Sequence, residues 1–339
     1  MNHLVTEKLD LLNEKGELKE PGYAYDQVFE YSRKMIKASV WRIKEWDYYA
    51  CIKEDVAFGF TVADLGYLGM LTATKLDLTN GIETKKTFMN PFPFGKFKMP
   101  RDIYDGDVSI TGKNYSFRFQ LEENKRIIKV WIKDFVPGKD FNADLELSDL
   151  HDDHMTIATP WKENKLAFYY NQKINCMPTK GKVVIGDEVY LFDKKKHFSV
   201  LDWGRGVWTY KNTWYWGSLS GIVEGKRFGF NIGYGFGDNS NATENMLFYD
   251  GKAHKLEDVK FELDDGDVLK PWKFTSNDSR LELVMTPMLD RKDHTNLLII
   301  KNYGHQVFGK FNGYVILDDG TKLIIKDLIG FAEKITNHY

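Results

Sequence analysis

The residues best suited to chemistry lie in one stretch, FSVLDWGRGVWTYKNTWYWG, residues 198–217. Four of the chain's nine tryptophans, Trp203, Trp208, Trp214 and Trp216, fall within it, beside one acid, Asp202, and the arginine Arg205. Indole is bulky and amphipathic, and it gathers where a chain closes a pocket. A carboxylate and a guanidinium three apart among such rings need partners, because a lone buried charge is costly. The stretch therefore predicts a walled, polar-bottomed hollow. A desolvated Asp202 there would have a raised pKa and could protonate an alkene or ether, or act as a base. Arg205 could instead hold Asp202 ionised and bind a carboxylate or hydroxyl of a ligand. The plainer alternative is a salt bridge that pins a crossover.

Other candidates are more scattered. Asp64, with Tyr67 nearby, is a second acid equally suited to capping a turn. Glu45 and Asp47 flank Trp46, and alternation sends both to the face opposite it. Lys173 interrupts the otherwise uncharged YNQKINCM, either as a pocket group or as a snorkelling surface residue. His305 could serve as an acid–base group or be merely hydrogen-bonded, and Glu333 is a weaker candidate. Asp202, Arg205, Asp64 and His305 are thus the expected catalytic set. Trp46, Tyr67, Lys173 and the four clustered tryptophans are the expected ligand contacts. His151, Asp152, Asp153 and His154 are all metal-ligand types, yet the run follows LELSDL and reads as a solvated acidic turn, so no metal is expected. GYGFGD and GRG lack the spacing of a dinucleotide fingerprint, and no helix-forming stretch follows them. Walker A, GxSxG and HExxH motifs are missing. What is left is acid–base chemistry without a cofactor.

The elements that must position these groups read as strands. YSFRFQL (115–121), RIIKVWIKDF (126–135), KVVIGDEVYLF (182–192), RFGFNIGYGF (227–236), RLELVMTPML (280–289) and KLIIKDLIGF (322–331) are rich in β-branched and aromatic residues, mostly alternating. Turn signals such as PGKD (137–140) and LDDGT (317–321) separate strands at short spacing. Helical periods are confined to DQVFEYSRKMIK (26–37) and the N-terminal VTEKLDLLNEKG. Trp46 and Trp216 stand 170 residues apart (216 − 46), as do Phe58-Gly59-Phe60 and Phe228-Gly229-Phe230, which suggests two related units. In the second copy, alternation puts Phe228, Phe230, Ile232, Tyr234 and Phe236 on one face and Gly229, Asn231, Gly233, Gly235 and Gly237 on the other. A face so bare is either overlaid by bulky groups, the tryptophans of 203–216 first among them, or leaves ligand space.

Composition narrows the class. The chain has 339 residues, 47 basic against 49 acidic, and a net charge of −2, which supports neither nucleic-acid binding nor a charged membrane patch. Two cysteines, Cys51 and Cys176, exclude a disulfide framework or a four-cysteine zinc site. The start has no apolar core of signal-peptide type, and no run of eighteen apolar residues occurs. A cytoplasmic protein without a transmembrane segment is expected.

The block DWGRGVW followed by Trp214-x-Trp216 resembles the signature of a large bacterial family known only as a domain of unknown function. EPGYA (20–24), IKEWDYY (43–49), ADLGYLG (63–69), YNQKINCMP (170–178) and GHQVFGKFNGYV…DLIGFAEK (304–334) extend the resemblance over nearly the whole chain. That family is distantly similar to hydroxyneurosporene synthases (carotenoid hydratases), AttH-like proteins and fungal survival-factor lipid carriers, which pair two lipocalin-like barrels. The resemblance implies an all-β fold of two tandem lipocalin-like antiparallel barrels or sandwiches with few short helices. We expect units at 1–198 and 199–339, the crossover near 195–205 fitting either. It implies no established active site, since such barrels host many activities. Three functions remain: a cofactor-independent hydratase, isomerase or cyclase acting on a lipophilic small molecule, a non-catalytic carrier of a lipid-like ligand, and a carbohydrate-active protein using Trp walls and paired carboxylates.

Overall fold

The computed structural model describes residues 2–148, 151–297 and 300–338. Among them there is no α-helix, only single 3-10 turns at Arg33–Met35 and Val40–Arg42. Both expected helices are corrected. β1 (Leu9–Asp10) and β3 (Phe29–Glu30) run through these segments and pair in parallel, with β2 (Gly22–Ala24) between them in sequence. The physical reason is burial: Leu11, Leu12, Phe29 and Tyr31 all sink into one core from extended backbone, which overrides a weak helical period.

The first sheet contains β4 (Ile43–Ile52), β5 (Val56–Asp64), β6 (Leu68–Asp77), β7 (Ile82–Pro91), β8 (Val108–Gly112) and β9 (Tyr115–Glu122). It continues with β10 (Lys125–Val136), β11 (Lys139–Ser148), β12 (Met155–Trp161), β13 (Asn164–Ile185), β14 (Glu188–Phe192) and β15 (Phe198–Val207). The second contains β16 (Lys211–Val223), β17 (Lys226–Tyr234), β18 (Met246–Tyr249), β19 (Lys252–Lys255) and β20 (Val259–Glu262), then β21 (Trp272–Ser276), β22 (Leu281–Leu297), β23 (Ile300–Ile316) and β24 (Lys322–His338). The main strand orders are β7-β6-β5-β4-β15-β13-β11-β10-β9-β8 and β19-β18-β17-β16-β24-β23-β22-β21-β20. In each, the last strand returns to pair with the first of the meander, β15 with β4 and β24 with β16. Each sheet curls antiparallel around its own core, as a half-barrel with free edges rather than a closed ring. The division expected at 198/199 falls at the start of β15, whose residues pair within the first sheet. The chain reaches the second sheet only at Lys211.

The two leading hairpins share a register. Trp46 faces Ala63 and Ala50 faces Gly59; 170 residues on, Trp216 faces Gly233 and Ser220 faces Gly229. Phe58 and Phe60 point into the first core, Phe228 and Phe230 into the second.

The units meet at an irregularity in the longest strand. β13 shifts register between Ile174 and Met177, with Cys176 at a φ of 59°. Such a bulge bends a strand and re-aims side chains. Here Asn175 Nδ2 donates to Ser218 Oγ (2.8 Å) and to the Phe230 carbonyl (3.0 Å), while Cys176 N donates to Ser220 Oγ (2.9 Å). Cys176 Sγ sits where a Gly229 side chain would be. The bare face of β17 is therefore overlaid by the first unit and by Trp216, whose Nε1 donates to Asn231 Oδ1 (2.7 Å). Alternation breaks at Gly235, which has a φ of 90°, so Phe236 leaves the face of Phe230 and joins a separate aromatic cluster. Burial pushes both free cysteine thiols, Cys51 and Cys176, up to about 12.

Candidate functional site

A cavity of about 480 Å³ lies between the units, framed by β4 to β7, β13 and β15 of the first and by β16 and β22 to β24 of the second. Its wall is aromatic. Trp46 stacks on Tyr169 (6.3 Å between centroids, 13°) and meets Trp208 edge-on at 5.3 Å; Phe236 packs 4.9 Å from Trp208 and 5.0 Å from Trp214. The strand beneath is shaped to receive these rings. Asp202, Gly204 and Gly206 share one face of β15, and a Cβ on Gly204 would overlap the Trp46 indole. On Gly206 it would stand 3.2 Å from Trp208 Nε1. The two glycines of DWGRG thus let indoles lie flat against backbone.

The floor is ionic. Lys173 and Asp202 face one another across β13 and β15, with Nζ 2.9 Å from Oδ1. Asn171 Nδ2 donates to the same oxygen (2.6 Å), and the Lys173 ammonium sits 3.9 Å from the centre of the Trp216 ring. Two further carboxyls face this couple. Glu333 accepts from Trp214 Nε1 (2.9 Å) and from Gln306 Nε2 (3.0 Å). Burial pushes its carboxyl up to about 7; the Trp214 hydrogen bond and the Lys173 charge resist the rise, and Asp202 adds to it. Glu244 is also raised, chiefly by burial, against the pull of Lys173. The Lys173 ammonium thus acts on three buried carboxyls, with Lys255 also acting on Glu244 and Arg291 on Glu333, and Glu333 titrates at about 7.

The other expected residues go elsewhere. Arg205 and Trp203 point to the opposite face of β15, because an offset of three on a strand separates sides. The Asp202–Arg205 couple does not form. Arg205 instead pairs with Asp47 (3.0 Å), donates to the carbonyls of Trp46, Pro100 and Gly204, and stacks 3.8 Å over Trp203 inside the first unit. Glu45 accepts there from Tyr31 (2.8 Å) and Arg33. Asp64 caps a turn by accepting from Gly66 N (3.0 Å) and Gly95 N (2.7 Å). His305 bonds Asp290 (2.9 Å) and does not line the cavity. Tyr67 does line it. The HDDH run disperses: Asp152 pairs with Arg227, Asp153 accepts from Ala253 N (3.1 Å), and His154 bonds Gln172 (3.1 Å). No group of ligand-type side chains able to hold a metal occurs among the described residues. Sequence reasoning missed Glu244 and Gln306, neither of which stood out by type or spacing. Glu333 had a usable signal, an acid in a β24 stretch whose neighbours Phe331 and Ala332 are apolar.

Residues 2–339 match the family described as Domain of unknown function (DUF2804), and the chain belongs to it. Comparison with curated protein sequences finds no match. Among solved structures, the chain is similar to an AttH-type protein from Nitrosomonas europaea, at 12% identity and a TM-score of 0.52, covering 90% of this chain and 96% of that one. It is also similar to kievitone hydratase from Nectria haematococca, at 10% identity and a TM-score of 0.49, covering 87% and 88%. At such identities the likeness is one of fold. No helix among the described residues is long and apolar enough to cross a membrane.

Proposed function

We propose that the chain is a cofactor-independent acid–base enzyme of hydratase or isomerase type, acting on a lipophilic small molecule in the aromatic cavity. The observation that carries this reading is Glu333: a carboxyl raised to about 7, oriented by Trp214 and Gln306, at the floor of an indole-walled hollow. A carboxylic acid whose pKa lies near the working pH is suited to proton transfer in either direction. Each Glu333 oxygen accepts one hydrogen bond, which leaves a lone pair to carry the acid proton.

In hydration, Glu333 gives this proton to an alkene carbon and becomes carboxylate. Water adds to the resulting cation, and the proton that the water sheds returns to Glu333. In isomerisation, the cation instead loses a neighbouring C–H proton to Asp202, which releases it to solvent while Glu333 takes one up. Indole faces at Trp46, Trp208 and Trp214 stabilise the cation. Lys173 Nζ, 2.9 Å from Asp202 Oδ1, anchors the carboxyl that receives the C–H proton.

The test is incubation in D2O with a panel of terpenoid and unsaturated fatty-acid alkenes, read by mass spectrometry. Deuterium incorporation is expected to fall at least about 100-fold in Glu333→Gln, and the wild-type rate to fall as pH rises through about 7. Retained turnover in Glu333→Gln would falsify the assignment. An alkene that binds but takes up no deuterium would favour the carrier reading.

A further inference from the structure

We propose that the rim of this cavity on the first unit is a docking surface for an anionic lipid bilayer. Three short segments build the rim: Val40–Arg42, the 65–67 turn and the 92–98 loop. They are tied together by Phe92 N to the Tyr67 carbonyl (3.0 Å), Phe94 N to the Gly66 carbonyl (3.3 Å), and Lys44 Nζ to the carbonyls of Trp41 (3.0 Å) and Leu65 (2.6 Å). The result presents apolar side chains to water. Val40, Trp41, Met89 and Phe92 are 48%, 52%, 66% and 52% exposed. Trp41 stands 4.9 Å from Phe94 and 5.8 Å from Phe92, so the rings form one cluster. Phe92, Phe94 and Lys98 have φ values of 54°, 45° and 51°, a conformation costly for bulky residues. The loop thus holds two phenylalanines in strained backbone at the surface, where folding alone gains little from them.

Cations gather beside the same rim: Arg33 pairs with Glu45 and Lys85 with Glu83, while Lys96 and Lys98 of the 92–98 loop are exposed. Residues 31–42 carry Arg33, Lys34, Lys37 and Arg42, and residues 84–101 carry Lys85, Lys86, Lys96, Lys98 and Arg101. Neither segment contains an acid, in a chain whose net charge is −2. Arg33 lies against Gly95, which brings the two basic segments together. Exposed Trp and Phe flanked by lysines match the headgroup region of a bilayer, where rings enter the interface and ammonium groups meet anionic lipid. The surface is continuous with the cavity, since Met89 belongs to the patch and lines the hollow, as do Tyr67 and Leu68. A lipophilic ligand could then pass from bilayer to cavity without crossing water. The docking itself rests on the rim alone and not on the acid–base reading.

Sedimentation with phosphatidylcholine vesicles, with and without about one-third phosphatidylserine, tests the proposal. The full chain is expected to sediment with the anionic vesicles, at least about tenfold more than with neutral ones, and to be released by high salt. The pair Trp41→Ala with Phe92→Ala and the pair Lys96→Glu with Lys98→Glu are each expected to lower binding about tenfold. Both pairs change exposed side chains, and an unchanged melting temperature separates lost docking from lost fold. No sedimentation of the wild-type chain with anionic vesicles overturns the proposal, as does binding that both pairs leave intact. Binding to duplex DNA without binding to vesicles overturns it in favour of a nucleic-acid partner. The assay contains no substrate, so its failure and the failure of Glu333 as acid are read separately.

Discussion

At the scale of single residues, the site depends on which acid keeps its proton. Glu333 has a folded-state pKa of about 7 against an ordinary value of 4.5. The sign of the linkage follows. The folded state binds the proton more tightly, so the stability this group allows is fully present below pH 4.5 and is lost as pH rises through about 7. Glu333→Gln should therefore flatten the stability profile between these limits. It should be the more stable protein at pH 8, by on the order of 1–3 kcal/mol, which urea unfolding at several pH values measures. A wild-type profile no steeper than that of the variant across this window would remove Glu333 as the protonated acid. Asp202→Ala acts in the other direction. It leaves the buried Lys173 ammonium with its aromatic contact and, among the described residues, no carboxylate within salt-bridge distance; a cost of about 3 kcal/mol is expected at neutral pH. The tryptophans and Asp202 were legible in the sequence because indoles clustered beside an acid signal a hollow. The partner of Asp202 was not. Lys173 lies 29 residues away (202 − 173), and only strand pairing brings it opposite.

At the scale of elements, β15 shows why a motif can be read correctly as a block and wrongly as a pair. DWGRG carries two functions on two faces. Asp202, Gly204 and Gly206 form one side of the cavity, while Trp203 and Arg205 lock the first unit through Asp47 and three backbone carbonyls. Strand periodicity alone separates the two sets, so the expected couple conflicted with the β assignment made for the rest of the chain. The strands themselves were legible, since alternation and turn signals carried most of both sheets. The two helical expectations failed because burial, not local period, decides such short segments. Gly204→Ala tests the face assignment. A methyl there collides with the Trp46 indole, an overpacking expected to cost about 1–3 kcal/mol in thermal unfolding and to change tryptophan fluorescence. A silent Gly204→Ala would mean that Trp46 does not rest on β15.

At the scale of the whole molecule, the cavity exists only because two half-barrels are joined. Two apolar clusters cross the join. One gathers Tyr169 and Cys176 from the first unit with Trp208, Phe236 and Phe248; the other gathers Tyr48, Ala50 and Leu76 with Trp216, Phe308 and Phe331. A net charge near zero averaged over the chain hid the basic rim, and single-residue spacing could not reveal the join, because both depend on which surfaces meet. Half-barrels with free edges gain little by separating, so both units should melt together. Phe308→Ala tests this within the second cluster, where Phe308 pairs with Phe331 across β23 and β24. Phe308 is buried 5.2 Å from Phe331 in the second cluster, and its loss should cost about 3–5 kcal/mol. If the join is cooperative, the variant melts in one transition at lower temperature. If the units are independent, calorimetry will resolve two transitions, with the first unit unmoved. That second outcome would mean the cavity is a contact between self-sufficient bodies, and its volume would then vary with their docking rather than being fixed by the fold.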